Sequence, residues 1–213
     1  MSKPRFSIAR EGIRWFLGLA ALACVLLPFS LGAAIVFAMI GVLAALFFRI
    51  PGRVSPSGDG IVLSPADGKV VGVDEVEEPY FVKGRCTRIS IFLSILDVHM
   101  NYAPVDGVVD WVRYQEGQFQ WAFAPKASDL NENQRIGISS SRFGKILVRQ
   151  IAGAVARRIV LFKKVAERVN KGERIGMIKF GSRVEIYIPP ALLVRVKTGD
   201  RVAGGLTILA RGA

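Results

Sequence analysis

The sequence predicts a mainly β domain, barrel- or sandwich-like and built of short strands with glycine turns, behind an N-terminal apolar helical hairpin. Three observations predict it. From Trp15 to Phe48 no residue is charged, and Pro28-Phe29-Ser30-Leu31-Gly32 interrupts that run. From Ile61 onward, short β-branched runs alternate with glycine-bearing turns. Near the C-terminal end a pattern occurs twice, as Val169-Asn170-Lys171-Gly172-Glu173-Arg174-Ile175-Gly176 and as Val196-Lys197-Thr198-Gly199-Asp200-Arg201-Val202-Ala203-Gly204. Each copy reads as strand, glycine turn and strand, a unit of small β-sandwiches.

The apolar run exceeds the roughly 20 residues of one membrane span. Lys3, Arg5, Arg10 and Arg14 precede it; Arg49 and Arg53 follow it. Positive charge at both ends favours a hairpin whose two ends face the cytoplasm. The arms are short for complete spans, so a shallow or re-entrant hairpin stays open. A cleaved signal peptide does not fit, because the apolar stretch continues past any cleavage site. Residues 1–50 are therefore expected to be a membrane-anchoring hairpin, 51–60 a Pro/Gly/Ser-rich linker, and 61–213 the working domain.

The chain carries a formal charge of +12, from 29 basic and 17 acidic residues, most of the basic ones after the apolar run. A basic domain tethered to a membrane suits anionic headgroups. Nucleic acid is disfavoured, since no basic strand interleaved with aromatics and no recognition helix stands out. Cys24 and Cys86 have no metal-ligand spacing. Neither a disulfide framework nor a metal site is expected, and a reducing compartment fits.

In chain order, Ile61 to Val73 reads as strand, turn and strand, with Asp67-Gly68 at the turn. Arg88 to Leu96 is a strand run that ends in Asp97-Val98-His99, which holds the only histidine. Val108–Tyr114 and Lys145–Gly153 read as further strands. Gly117 to Asn133 looks irregular; its Phe119, Trp121, Phe123 and Lys126 fit a packed loop or a substrate groove. Val155 to Val169 is ambiguous between strand and short helix. Gly176 to Pro189 reads as strand interrupted by Gly181-Ser182, the only Gly-Ser pair in the chain. Glycine inside a strand marks a bulge, a bend or a close backbone approach. Alone, these residues read as a turn aspartate, a loop histidine and a turn dipeptide. A strained Gly-Ser bond has a further use: the hydroxyl attacks the preceding carbonyl, and the resulting ester breaks by β-elimination.

Taken together, Ser64-Pro65-Ala66-Asp67-Gly68, Asp97-Val98-His99 with Ala103-Pro104, Gln150-Ile151-Ala152-Gly153 followed by Ala156-Arg157-Arg158-Ile159, and Phe180-Gly181-Ser182 resemble the motifs of the phosphatidylserine decarboxylases, in their short bacterial and archaeal form. The resemblance covers nearly all of residues 55–210, and the apolar hairpin matches that form too. It implies a precursor that cuts itself between Gly181 and Ser182. The products are a β chain, 1–181, and an α chain, 182–213, which stay associated. Ser182 becomes a covalent pyruvoyl group, the electron sink to which the serine headgroup binds as a Schiff base before losing carbon dioxide. The implied substrate is phosphatidylserine in an anionic membrane, the product phosphatidylethanolamine, and the place the cytoplasmic side of the cell membrane. His99 is implied in decarboxylation, and Asp67, with or without His99, in self-cleavage. The longer form has a second histidine where this chain has Tyr102, so the cleavage base stays open between these two residues.

Two other functions compete. One is a pyruvoyl-dependent decarboxylase of a soluble amino acid. The other is an uncleaved, membrane-anchored β-sandwich binding module. Lipoyl-type sandwiches need a lysine presented at a hairpin tip, and neither Lys69 nor Lys179 is flanked like one. The sequence is also compatible with a homo-oligomer.

Overall fold

Two helices of equal length form the N-terminal hairpin. In a computed structural model, which describes residues 6–118, 130–153, 158–179 and 182–212, the short strand β1 (Ser7–Ile8) leads into α1 (Arg10–Leu26). A turn then gives α2 (Leu31–Phe47) and β2 (Arg49–Ile50), which pairs antiparallel with β1. Ser30 caps α2 by accepting a hydrogen bond from the Ala33 N–H. The break expected at residues 28–32 is therefore a helix stop followed by a capped restart. Each helix has 17 residues, about 26 Å at the usual rise. Among the described residues no helix is long and apolar enough to cross a membrane. Gly41 lets the helices approach closely, since a Cβ there would lie 3.3 Å from the Leu19 Cβ. Apolar side chains along the hairpin, such as Trp15, Phe29, Ile35 and Leu43, are exposed.

The chain divides after Arg53. The second unit begins with β3 (Ile61–Leu63), β4 (Gly68–Glu78), β5 (Gly84–Leu93), β6 (Met100–Tyr102) and β7 (Gly107–Gln115). It continues through β8 (Asn133–Ser140), β9 (Gly144–Ala152), β10 (Arg158–Leu161), β11 (Arg168–Val169), β12 (Arg174–Lys179) and β13 (Ser182–Ile188), and ends with β14 (Leu193–Val194), β15 (Arg201–Val202) and β16 (Ile208–Arg211). The predicted mainly β class holds. A curled, eight-stranded antiparallel sheet has the order β11-β7-β8-β9-β13-β5-β4-β15 and forms a half-barrel. Two three-stranded sheets, β10-β12-β6 and β14-β16-β3, complete the layers. One core joins all three: Ile89, Ile91, Ile136, Val148, Val184 and Ile186 come from the large sheet, Ile175 and Ile178 from β12, and Val62 and Ala210 from β3 and β16.

Several expectations need adjustment. β8 was not anticipated; its first three residues are Asn133, Gln134 and Arg135, all buried, and they hide the strand pattern. The run from Arg88 stops as strand at Leu93, because residues 94–97 fold into a turn. The described part of the ambiguous stretch, from residue 158 on, contains β10 and β11 and no helix. The strand read across Gly176–Pro189 is two strands in two different sheets. Phe180 and Gly181 lie outside the described residues, as do the aromatics Phe119, Trp121 and Phe123.

The repeated pattern has a shared physical basis. In the first copy the Glu173 carboxylate accepts from the Asn170 N–H at 2.9 Å; in the second Asp200 accepts from the Lys197 N–H, also at 2.9 Å. Gly172 and Gly199 both have positive φ, at +78° and +104°. The acid caps its own turn, and the glycine supplies the left-handed residue that the turn requires.

Candidate active site

β13 is a central strand, paired with β5 on one side and β9 on the other. Every residue of it is buried. Its first residue, Ser182, stands opposite Leu93 of β5 and Ala152 of β9. Directly opposed residues share a face and alternate residues return to it. Ser182 therefore heads the row Ser182, Val184, Ile186, Ile188, which faces the apolar core. Its Oγ is fully buried and has no hydrogen-bond partner among the described residues. Buried hydroxyls are ordinarily bonded, and an exception calls for a reason.

The other sequence-predicted residues gather at the same end of β5. β4 and β13 flank β5, so the Asp67-Gly68 turn and Ser182 lie two strand spacings apart, about 10 Å. Gly68 has φ +147°, and a Cβ there would come within 2.1 Å of the Phe92 carbonyl oxygen, so only glycine fits. The Asp67 carboxylate is oriented by the main chain, accepting from the Gly204 N–H at 2.7 Å. Gly204 and Gly205 in turn lie against the Tyr102 ring, where a Cβ would stand 2.7 Å and 3.2 Å from ring carbons. Tyr102 is thus part of the wall behind Asp67.

His99 is 2% exposed. Its Nδ1 lies 2.9 Å from the Asp97 main-chain oxygen. A carbonyl only accepts, so Nδ1 carries the proton of this bond and Nε2 is the basic nitrogen of the neutral ring. The His99 carbonyl accepts from the Ile178 N–H, which ties the histidine to β12 just before the Gly-Ser step.

A buried polar thread joins these motifs. The Gln150 Nε2 donates to the Asn101 Oδ1 at 2.6 Å, and Asn101 Nδ2 donates to the Pro65 carbonyl at 3.4 Å. Gln150 lies on the core face of β9, two residues before the partner of Ser182. Gly176 makes room for it, since a Cβ there would stand 2.9 Å from the Gln150 Nε2. In the sequence Gln150 stands in a motif without a role of its own, and no local signal marks Asn101.

The reverse face of β13 is charged. Tyr187 donates its hydroxyl to Glu185 at 2.6 Å, and Arg149 reaches Glu185 at 3.7 Å. Burial, then the Glu185 charge, pushes the Tyr187 hydroxyl well above its usual range. Burial lowers the Arg183 and Arg135 guanidiniums, and the Arg149 charge lowers Arg135 further.

A buried serine hydroxyl, an oriented carboxylate and a tautomer-fixed imidazole, all near one end of β5, are residue types suited to nucleophilic and acid–base chemistry. Comparison with known proteins gives the class. The sequence profile of the phosphatidylserine decarboxylases matches residues 40–210. A phosphatidylserine decarboxylase proenzyme of Carboxydothermus hydrogenoformans is 45% identical over 205 residues, covering 95% of each chain. Proteins of the same name from Symbiobacterium thermophilum and Anaplasma phagocytophilum are 42% and 43% identical; each alignment covers 96% of this chain, and 95% and 90% of the relatives respectively. The protein is an enzyme of the carboxy-lyase class. It belongs to the phosphatidylserine decarboxylase family.

Proposed function

We propose that the chain converts phosphatidylserine to phosphatidylethanolamine at a membrane, after cutting itself between Gly181 and Ser182. The observation that carries this reading is the buried Ser182 hydroxyl without a hydrogen-bond partner among the described residues, paired with the end of β5 that leads on to His99 and lies beside the Asp67-Gly68 turn. That environment fits the formation of a pyruvoyl group from Ser182: among the described residues the hydroxyl is not committed to a structural bond, and its burial keeps bulk water away from it.

Self-cleavage then runs through this chain's own atoms. The Ser182 Oγ adds to the Gly181 carbonyl carbon as Asp67 or the His99 Nε2 takes its proton. Collapse breaks the amide C–N bond and leaves an ester. Removal of the Ser182 Cα proton expels the ester oxygen from Cβ as the Gly181 carboxylate, leaving dehydroalanine. Its tautomer is hydrolysed by water, and the nitrogen departs as ammonia. The group so formed supplies an electron sink for the bond that carbon dioxide leaves behind. His99 returns the proton to the substrate carbon. Asp67, fixed by the Gly204 N–H, keeps its orientation in both stages.

The topology supports continued association of the two fragments. Residues 182–213 contribute a central strand and an edge strand to the large sheet and two strands to the sheet containing β3. A cut before Ser182 leaves all of those ladders in place.

The anchoring reading rests on the hairpin. Its helices fall short of the hydrocarbon thickness of about 30 Å, while basic residues flank both ends and apolar side chains face outward. A re-entrant hairpin in the cytoplasmic leaflet satisfies all three features.

The test is a decarboxylation assay on phosphatidylserine vesicles and on free serine. We expect carbon dioxide and phosphatidylethanolamine from the lipid, and nothing from serine. Activity on free serine alone would replace this reading with that of a soluble amino-acid decarboxylase. The Ser182→Ala chain is expected to be uncleaved and inactive; two fragments from it would refute the position of the cut.

A further inference from the structure

Between the strand partner of Ser182 and the candidate histidine lies a turn with two apolar side chains at its tip. Leu93 pairs with Ser182; Ser94, Ile95, Leu96 and Asp97 follow; His99 comes two residues later. Ile95 is 58% exposed and Leu96 80%, the highest value among the large apolar side chains described in this unit. Single exposed aliphatics need no explanation. Two neighbours on the rim of a candidate site for a lipid substrate do.

The turn is rigid. The Asp97 N–H donates to the Ser94 carbonyl at 3.0 Å, and Asp97 Oδ2 accepts from the Ser94 N–H at 2.8 Å and from its hydroxyl at 2.7 Å. Asp97 Oδ1 accepts from Arg201 Nη1 at 3.0 Å. The fold thus uses three hydrogen bonds and an ion pair to hold two aliphatic side chains out in water. The same residue also fixes His99, through the Asp97 carbonyl. The only carboxylate on the turn is matched by Arg201, and the exposed Lys69 lies on the adjoining strand, with Arg201 as its partner across the ladder. The tip therefore offers no uncompensated negative charge to a phosphate layer.

We propose that the Ser94–Asp97 turn docks the site onto the bilayer, with Ile95 and Leu96 entering the apolar layer and Lys69 and Arg201 at the level of the phosphates. Partition of two aliphatic side chains favours this position. The rim between Ser182 and His99 would then sit at headgroup depth, where the serine carboxylate is found. This inference rests on the proposed lipid substrate and extends it, by naming the surface through which that substrate arrives.

The experiment uses the full chain reconstituted in phosphatidylcholine vesicles, wild type against Ile95→Ser/Leu96→Ser. Two substrates are compared: long-chain phosphatidylserine in the vesicles, and a short-chain phosphatidylserine kept below its micelle concentration. The variant is expected to cleave itself fully and to keep its rate on the soluble substrate within about twofold. On the vesicle substrate kcat/KM should fall by about tenfold or more, and Ile95→Val/Leu96→Phe should restore it. An equal rate on vesicles, or an equal loss on both substrates, would overturn the docking role. A wild-type chain inactive on both substrates would instead remove the lipid reading itself.

Discussion

The two faces of β13 make the most instructive contrast in the molecule. Both are buried along the whole strand. The outward row, Arg183, Glu185 and Tyr187, is polar, and its groups engage one another: Glu185 receives the Tyr187 hydroxyl and the Arg149 guanidinium. The inward row is apolar except for Ser182, whose hydroxyl meets no hydrogen-bond partner among the described residues. Buried polar groups are ordinarily bonded; we read the Ser182 hydroxyl, an exception among the described residues, as one held in reserve for chemistry. On that reading, the two rows of one seven-residue strand divide stability from reactivity.

Substitutions on the two rows should therefore fail differently. Ser182→Ala is expected to abolish self-cleavage and turnover completely. Its unfolding midpoint should be no lower than that of the processed wild type, since removing a buried hydroxyl with no partner among the described residues costs little. A large loss of stability would show that the hydroxyl is a structural group. His99→Gln should lower turnover by about 10²–10⁴-fold, the range of a lost general acid; initial-rate kinetics on vesicles would measure it, and normal turnover would remove His99 from the site. On the outward row, Glu185→Ala removes the acceptor of the Tyr187 hydroxyl and the charge partner of Arg149, which keeps its bond to the Asn133 Oδ1. Denaturant unfolding in the Ser182→Ala background should show a loss of about 3–5 kcal/mol.

The smallest effect concerns the repeated turn, far from either row. Burial alone would raise the Glu173 carboxyl, but hydrogen bonds from Lys163 and Asn170 outweigh it and hold the group below its ordinary range. A depressed carboxyl contributes stability above its unfolded pKa of about 4.3, and that contribution is lost as pH falls through the lower folded value. Between pH 6 and 3, Glu173→Gln should flatten part of the fall in unfolding midpoint; an unchanged slope would mean that the turn carries no such linkage.

Much of this was legible in the sequence because it depends on local rules. The hairpin break at Pro28–Gly32, the Asp67-Gly68 turn and the twin turns around Gly172 and Gly199 follow from glycine, proline and short polar side chains acting on their own backbone. What stayed hidden depends on partners remote in the chain. β8 is a strand because Gln134 and Arg135 find places between β7 and β9, although its first residues are polar. The Gln150–Asn101 bond joins residues 49 positions apart. Gly176–Pro189 has the composition of one strand, and only tertiary packing divides it between two sheets. The site residues were legible as candidates by resemblance; their orientation, by the Gly204 N–H and the Asp97 carbonyl, was not.

The central claim is that the hydroxyl held in reserve on β13 is spent on cutting the chain. The intact mass of the purified full-length protein tests it most directly. The account predicts two fragments, 1–181 and 182–213, with the smaller one lacking the nitrogen of Ser182. A single chain of full mass in a preparation that releases carbon dioxide from phosphatidylserine would contradict it.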